Sequence, residues 1–214
     1  LNADKEITSA TVETVSMEGI EPDQGLRELP AVKSAQEKTV SFIQDNVLGH
    51  ASADFQPVDE IKGIPSGRIE DTAVIDLIGT VQLENSGADV SAAALFKDTS
   101  DLPEGDINYG NIFDIYKFDN TLYRVKVTGA ELKAYMEWSA ECYNQWQEGD
   151  INLSFDPEYP DYLYDMFAGV DYEIDLSQPK GQRIQNVMFH GAPLQDDQEL
   201  TLAVNNYRYS SALK

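Results

Sequence analysis

The sequence predicts an α+β fold, with mixed sheets and helices in layers, preceded by a linker helix. Three observations predict it. Segments of helical and of two-residue apolar periodicity interleave along the chain. Several strands are separated by turns of hairpin length, such as Gly191-Ala192-Pro193, which favours mixed layers over a doubly wound parallel sheet. The chain has 214 residues, 42% of them hydrophobic, enough to bury a core at a length between one and two domains.

The elements follow in order. Ile7 to Val15 alternates β-branched residues and is expected as a strand. Glu18 to Arg27, with Gly and Pro, is expected as a connector. Pro30 to Leu48 is expected as a long helix, with Pro30 at the first position and Gly49 as the stop. Val32, Ala35, Thr39, Phe42 or Ile43, and Val47 mark its apolar face. It is either an inter-domain arm or a helix packed on its own domain. A second helix spans Asp71 to Leu83, with Val74, Ile75, Ile78 and Val81 inward. Ala88 to Phe96 reads as a buried strand. Tyr123, Val125 and Val127 alternate with Arg124 and Lys126, as in a half-buried strand. Thr128-Gly129-Ala130-Glu131 spells a capping box, and Leu132, Tyr135, Met136, Ser139, Tyr143 and Trp146 continue at helical spacing as core. Gln147 to Tyr164 reads as a loop. Val170 to Leu176, Arg183 to Phe189 and Glu199 to Asn205 complete a set of C-terminal strands.

Composition excludes several classes of function. A net charge of −23 repels nucleic-acid backbones and anionic membranes. The apolar runs fall far short of the roughly 20 residues of a membrane span. With one cysteine, Cys142, no internal disulfide is possible, and no basic neighbour in sequence activates its thiol. Many secreted proteins of Gram-positive bacteria also avoid cysteine, so this leaves the compartment open. His50 and His190 stand alone, and no metal-ligand spacing, phosphate-cradling glycine loop or nucleophile elbow is spelled out. The carboxylates of Gln147 to Tyr164 lack the alternation of a calcium loop. The first residues, Leu1-Asn2-Ala3-Asp4, suggest an excised piece. On its residues alone, the chain reads as a binding or regulatory domain.

Six stretches carry a resemblance. They are Gly87-Ala88-Asp89-Val90-Ser91-Ala92-Ala93-Ala94-Leu95-Phe96, Ile107-Asn108-Tyr109-Gly110-Asn111-Ile112, Tyr116-Lys117-Phe118-Asp119-Asn120-Thr121-Leu122, Val127-Thr128-Gly129-Ala130-Glu131-Leu132-Lys133, Tyr135-Met136-Glu137-Trp138-Ser139-Ala140, and Leu202-Ala203-Val204-Asn205-Asn206-Tyr207-Arg208. In that order, over roughly Ser52 to Arg208, the chain resembles the C-terminal domain of the 5'-nucleotidase family. The Ser-Ala-Ala-Ala segment, the Glu-Trp-Ser-Ala helix and Asn-Asn-Tyr-Arg resemble most the branch of bifunctional 2',3'-cyclic-nucleotide 2'-phosphodiesterase/3'-nucleotidases.

The resemblance implies the following organisation. Residues 1–49 would be the end of a preceding domain and a linker helix, and residues 50–214 a nucleotide-specificity domain. The parent would be a two-domain hydrolase, extracellular or attached to the cell wall. A divalent metal pair would sit in an N-terminal metallophosphoesterase domain outside this chain, so no cofactor and no catalytic residue are expected here. The partners would be that domain and a nucleoside or nucleotide. Phe118 would be the first stacking aromatic, Asn120 a polar base contact, and Tyr207 the second aromatic, flanked by Asn205 and Asn206. A ring on each face would hold a base with little demand on its identity. Without the resemblance, Phe118 reads as a loop anchor and Tyr207 as a strand-end core residue. Arg68 is either part of a cationic lining or a surface residue.

Two departures bear on the branch. Where the 5'-nucleotidase branch carries Asn-Gly-Gly and arginine, this chain has Ala-Ala-Leu-Phe, so a 5'-phosphate contact does not carry over. Beyond Tyr207-Arg208, the family's glycine-rich turn gives way to Tyr209-Ser210-Ser211-Ala212-Leu213-Lys214. The competing functions are a non-enzymatic surface module that keeps the fold and binds another ligand or a protein, and membership of the 5'-nucleotidase branch.

Overall fold

The computed structural model describes residues 5–213. The chain divides into two compact units, Leu1–Phe42 and Ile43–Lys214. In the first, the expected strand from Ile7 to Val15 has no regular structure and is exposed. Alternating β-branched residues make a strand only where a partner supplies hydrogen bonds and a buried face. Among the described residues no strand pairs with this segment. One turn of helix, α1 (Gln24–Arg27), is capped by Asp23, whose Oδ1 accepts from Leu26 N at 3.0 Å. Helix α2 (Pro30–Asp45) starts at the expected proline, and none of its residues is buried.

Helix α2 stops short of Leu48. Val47–Ala51 forms strand β1, so Gly49 lies inside a strand and does not end the helix. The reason is pairing: β1 runs antiparallel to β3 (Gly105–Asn108), which takes up backbone groups that a longer helix would have satisfied internally.

From there the second unit continues through α3 (Ala73–Ser86), β2 (Val90–Ala94), α4 (Tyr109–Ile115), β4 (Leu122–Thr128) and α5 (Gly129–Ser139). It ends with β5 (Asp165–Ala168), β6 (Asp171–Ile174), β7 (Ile184–Phe189), β8 (Ala192–Pro193), β9 (Glu199–Asn205) and α6 (Asn206–Ala212). The main sheet has the order β4-β9-β2-β5. It is mixed, because β2 runs parallel to β9 while the outer pairs are antiparallel. A second sheet has the order β6-β7-β8. Its β7–β8 turn is two residues, His190 and Gly191, both at positive φ (49° and 77°), the pairing that suits right-handed strand twist.

Strand β2 is buried on both faces and serves two cores. Val90 and Ala92 join Leu132, Tyr135 and Met136 of α5 with Leu200, Leu202 and Val204 of β9. Ala93 points the other way, into a core with Val74, Ile75 and Ile78 of α3. Helix α3 presses so close that a Cβ on Gly79 would lie 2.8 Å from Ala168 Cβ. Ser91 Oγ donates to the Gly79 carbonyl across the same contact, at 3.1 Å.

Capping chemistry sets the helix ends. Both halves of the Thr128–Glu131 box are present, and Gly87 closes α3 in the left-handed conformation. Asn108 and Asn111 form a second box that starts α4. Val81, expected inward, is 49% exposed. Tyr143 is buried but lies beyond the end of α5, and Trp146 is exposed. Cys142 sits in a turn of 3-10 helix and is buried. Contrary to the sequence expectation, it has cationic neighbours, Arg68 and Arg183; burial outweighs them and pushes its thiol up to about 11. His50 is an exposed β1 residue with Nδ1 3.1 Å from Asp106 Oδ1. Among the described residues, no helix is long and apolar enough to cross a membrane.

Candidate functional site

A cleft of about 340 Å³ opens at the end of the main sheet. Its floor includes Ala93 and Ala94 of β2, Asp165 of β5 and Asn205 of β9. Tyr207 and Arg208 of α6 line it, and so do Phe96, Tyr116, Lys117, Phe118 and Asn120.

The turn that carries Phe118 follows from where α4 must stop. Tyr116 closes the helix in an extended conformation (φ −148°, ψ 96°), with its N–H on the Ile112 carbonyl at 2.8 Å. Six residues on, at Leu122, β4 begins to pair with β9, so the five residues Lys117-Phe118-Asp119-Asn120-Thr121 must turn in between. Phe118 remains 48% exposed, and its ring meets that of Phe96 edge-on, centroids 4.7 Å apart. Lys117 Nζ lies 5.3 Å from the Phe118 centroid. Asn120 Nδ2 donates to Tyr116 Oη at 3.1 Å.

Tyr207 arrives from the other side of the chain. Strand β9 ends at Asn205, whose side chain caps α6 by accepting from Arg208 N at 2.7 Å. Tyr207 is then in the first turn, 52% exposed, and makes no aromatic ring contact among the described residues. Asn206 does not line the cleft. Its Oδ1 accepts from Thr121 N at 3.0 Å and its own N–H donates to the Thr121 carbonyl at 2.9 Å. It therefore ties the start of α6 to the end of the Phe118 turn. Neither aromatic is a core residue.

Arg68 lies elsewhere. It is 7% exposed, with its guanidinium 4.3 Å from the Phe155 centroid and its carbonyl accepting from the Tyr143 hydroxyl. It is neither cleft lining nor surface: the 3-10 turn Ser66–Arg68 packs it inward against Phe155.

Sequence reasoning missed a buried ion pair in the cleft. Arg208 Nε lies 2.5 Å from Asp165 Oδ2, and Nη2 donates to Oδ1 at 3.1 Å and to the Tyr162 carbonyl at 2.5 Å. Tyr135 Oη donates to Asp165 Oδ2 at 2.5 Å. Burial beside that carboxylate pushes the Tyr135 phenol well up, so it stays a donor. The cleft thus carries Lys117, plus a cation whose charge Asp165 balances. Another hollow, about 400 Å³, is lined by Glu70, Asp71 and Asp171 among tyrosines. Its charge is acidic alone, and it contains none of the candidate residues. Among the described residues no group of three His, Cys, Asp or Glu side chains stands together to hold a metal ion.

The 5'-nucleotidase C-terminal domain profile matches residues 47–212. The chain belongs to the 5'-nucleotidase C-terminal domain family. Among curated relatives, it is 29% identical to a 2',3'-cyclic-nucleotide 2'-phosphodiesterase/3'-nucleotidase of Yersinia enterocolitica, over 84% of this chain and 35% of that protein. It is 32% identical to the trifunctional nucleotide phosphoesterase protein YfkN of Bacillus subtilis, over 52% of this chain and 8% of that protein. Among solved structures, a Staphylococcus aureus protein assigned as a 5'-nucleotidase, in complex with α-ketoglutarate, superposes with a TM-score of 0.72. Its identity is 27%, over 84% of this chain and 34% of that one. The chain spans about a third of the length of the Yersinia and Staphylococcus proteins and less of the Bacillus one. The α+β architecture of mixed sheets and helices is that of the family's C-terminal domain.

Proposed function

We propose that this domain binds the nucleoside part of the substrate for a two-domain phosphoesterase acting on 2',3'-cyclic nucleotides and 3'-nucleotides. One observation carries the reading. Phe118 and Tyr207, distant in sequence, both leave about half their surface exposed and both line one cleft. A half-exposed aromatic ring at a cleft wall is costly to hydrate and ready to stack. Its volume, about 340 Å³, falls in the roughly 300–1,000 Å³ range of small-molecule sites.

In this reading a base enters between the two rings, and Asn120 reads its edge. The amide oxygen of Asn120 and its second N–H match either an acceptor or a donor on a base. Asn205 and Asn206 act through the backbone, the first by capping α6 and the second by tying it to Thr121. On the family resemblance, the metal donors belong to an N-terminal metallophosphoesterase domain. The family resemblance is the ground for two further parts of the reading, a divalent metal pair in that domain and an extracellular or cell-wall location for the parent.

The test is amide chemical-shift mapping of the labelled chain with adenosine. Saturable shifts at Phe118, Asn120 and Tyr207 are expected. Shifts confined to residues far from the cleft, or none at all, would favour a module that keeps the fold and binds something else.

A further inference from the structure

We propose that the buried Arg208–Asp165 pair is a positioning pair whose task is to place the Tyr207 ring; the inference rests on the nucleoside-clamp reading above. The two aromatic jaws are held by different means. Phe118 leans on the ring of Phe96 at 4.7 Å. Tyr207 has no ring neighbour among the described residues and is half exposed, so the direction of its ring depends on how the backbone of α6 is held. That helix is seven residues long, too short to hold its own shape without anchors.

Besides the Asn205 cap and the Asn206 tie, an anchor is supplied by the residue that follows Tyr207. Arg208 is 4% exposed, and its side chain reaches three separate parts of the fold. It meets both Asp165 oxygens on β5 and donates from Nη2 to the Tyr162 carbonyl. It also lies 5.2 Å from the Trp138 ring on α5. Asp165 is fixed in turn: Tyr135 Oη donates to its carboxylate, and Ser139 Oγ bonds its backbone N–H and carbonyl, each at 2.7 Å. A directed hydrogen bond from Nη2 to Oδ1, together with the close ion-pair approach of Nε to Oδ2, orients the planar guanidinium, which the single ammonium of a lysine cannot match.

Stability alone does not account for this arrangement. Burying two charges costs several kcal/mol in desolvation, and well-packed apolar side chains in place of a buried pair are often equally or more stabilising. A defined geometry at the first turn of α6 is what the pair adds.

The test is a double-mutant cycle of Arg208→Lys with Tyr207→Ala, read by adenosine affinity. Arg208→Lys is expected to weaken binding about tenfold when Tyr207 is present, and by less than about twofold in the Tyr207→Ala background. Equal losses in both backgrounds, or no loss in the first, would overturn the proposal. Should Arg208→Lys fold poorly, Asp165→Leu with Arg208→Met removes both charges together. That double variant leaves the Tyr135 hydroxyl and the Tyr162 carbonyl without these partners, so it is expected to melt a few degrees lower, to stay folded and to bind weakly; wild-type affinity in it would overturn the proposal. A ligand-free measurement separates this idea from the clamp itself. The fluorine resonance of 3-fluorotyrosine placed at position 207 should shift or broaden in Arg208→Lys, whether or not the protein binds nucleosides. An unchanged line would refute the positioning role, whereas a changed line in a protein that ignores adenosine would refute only the clamp.

Discussion

Replacing Phe118 separates the clamp from a mere loop anchor. A Phe side chain can bury about 150–250 Å², and this one is 48% exposed, so about 100 Å² is withdrawn from water. At about 25 cal/mol per Å², that is an upper bound of about 2.5 kcal/mol. The edge contact with Phe96 contributes about 1 kcal/mol, and part of it is already counted in the area. Phe118→Ala should therefore destabilise the domain by about 2 kcal/mol and lower its Tm by about 4–8 °C, leaving it folded. Loss of a stacking face costs about 1–3 kcal/mol in binding, a weakening of about 5- to 150-fold. The two effects are separated by Phe118→Leu, which keeps most of the apolar contact but has no flat face. It should melt within about 2 °C of wild type and bind nucleoside as poorly as the alanine variant. Calorimetric titration and thermal melts on the three proteins decide it. Wild-type affinity in Phe118→Leu would refute stacking on Phe118.

Asn206→Ala removes the bond from Thr121 N while the backbone bond back to Thr121 stays, and should weaken adenosine binding about 2- to 10-fold with a Tm loss of a few degrees; equal affinity in a titration would show that the tie does not set the cleft. Asp89 accepts from Thr201 Oγ1 at 2.6 Å and N at 2.8 Å, and these bonds hold its carboxyl below 3.8. A lowered folded-state value gives stability that is present above 3.8 and is lost as pH falls further, so the Tm gap between wild type and Asp89→Asn should close as melts are taken from about pH 6 to about pH 3. The chain by itself, with or without Mn²⁺, should not hydrolyse 2',3'-cyclic AMP or 3'-AMP above a heat-killed control, because no suitable donor group is assembled among the described residues; turnover that survives repurification would reveal a site outside this account.

Parts of the fold were legible because their causes are local. The Thr128–Glu131 box is spelled within four residues, and the structure has both of its halves. The Ser-Ala-Ala-Ala strand was legible because small residues are what a closely pressed helix requires. Other parts depend on pairing across the chain. Ile7 to Val15 has the periodicity of a strand without a partner, while Val47–Ala51 reads as a helix end and becomes a strand because Gly105–Asn108 meets it. At the site, Phe118, Asn120 and Tyr207 came from their motifs, and no local signal explains why an exposed ring should sit in that turn. Asp165 was hidden at the end of a loop rich in Asp and Tyr. Nothing in its neighbours shows that this carboxylate, among so many, is the one that Arg208 meets.

The central claim is that this cleft takes a nucleoside. The measurement that tests it most directly is a calorimetric titration of the chain with adenosine and with 3'-AMP, repeated on the variant carrying both Phe118→Ala and Tyr207→Ala. The account predicts saturable binding of both ligands at one site per chain, lost in the double variant while its fold survives. Heats that never saturate in the wild-type protein, or saturation that persists unchanged in the double variant, would contradict it.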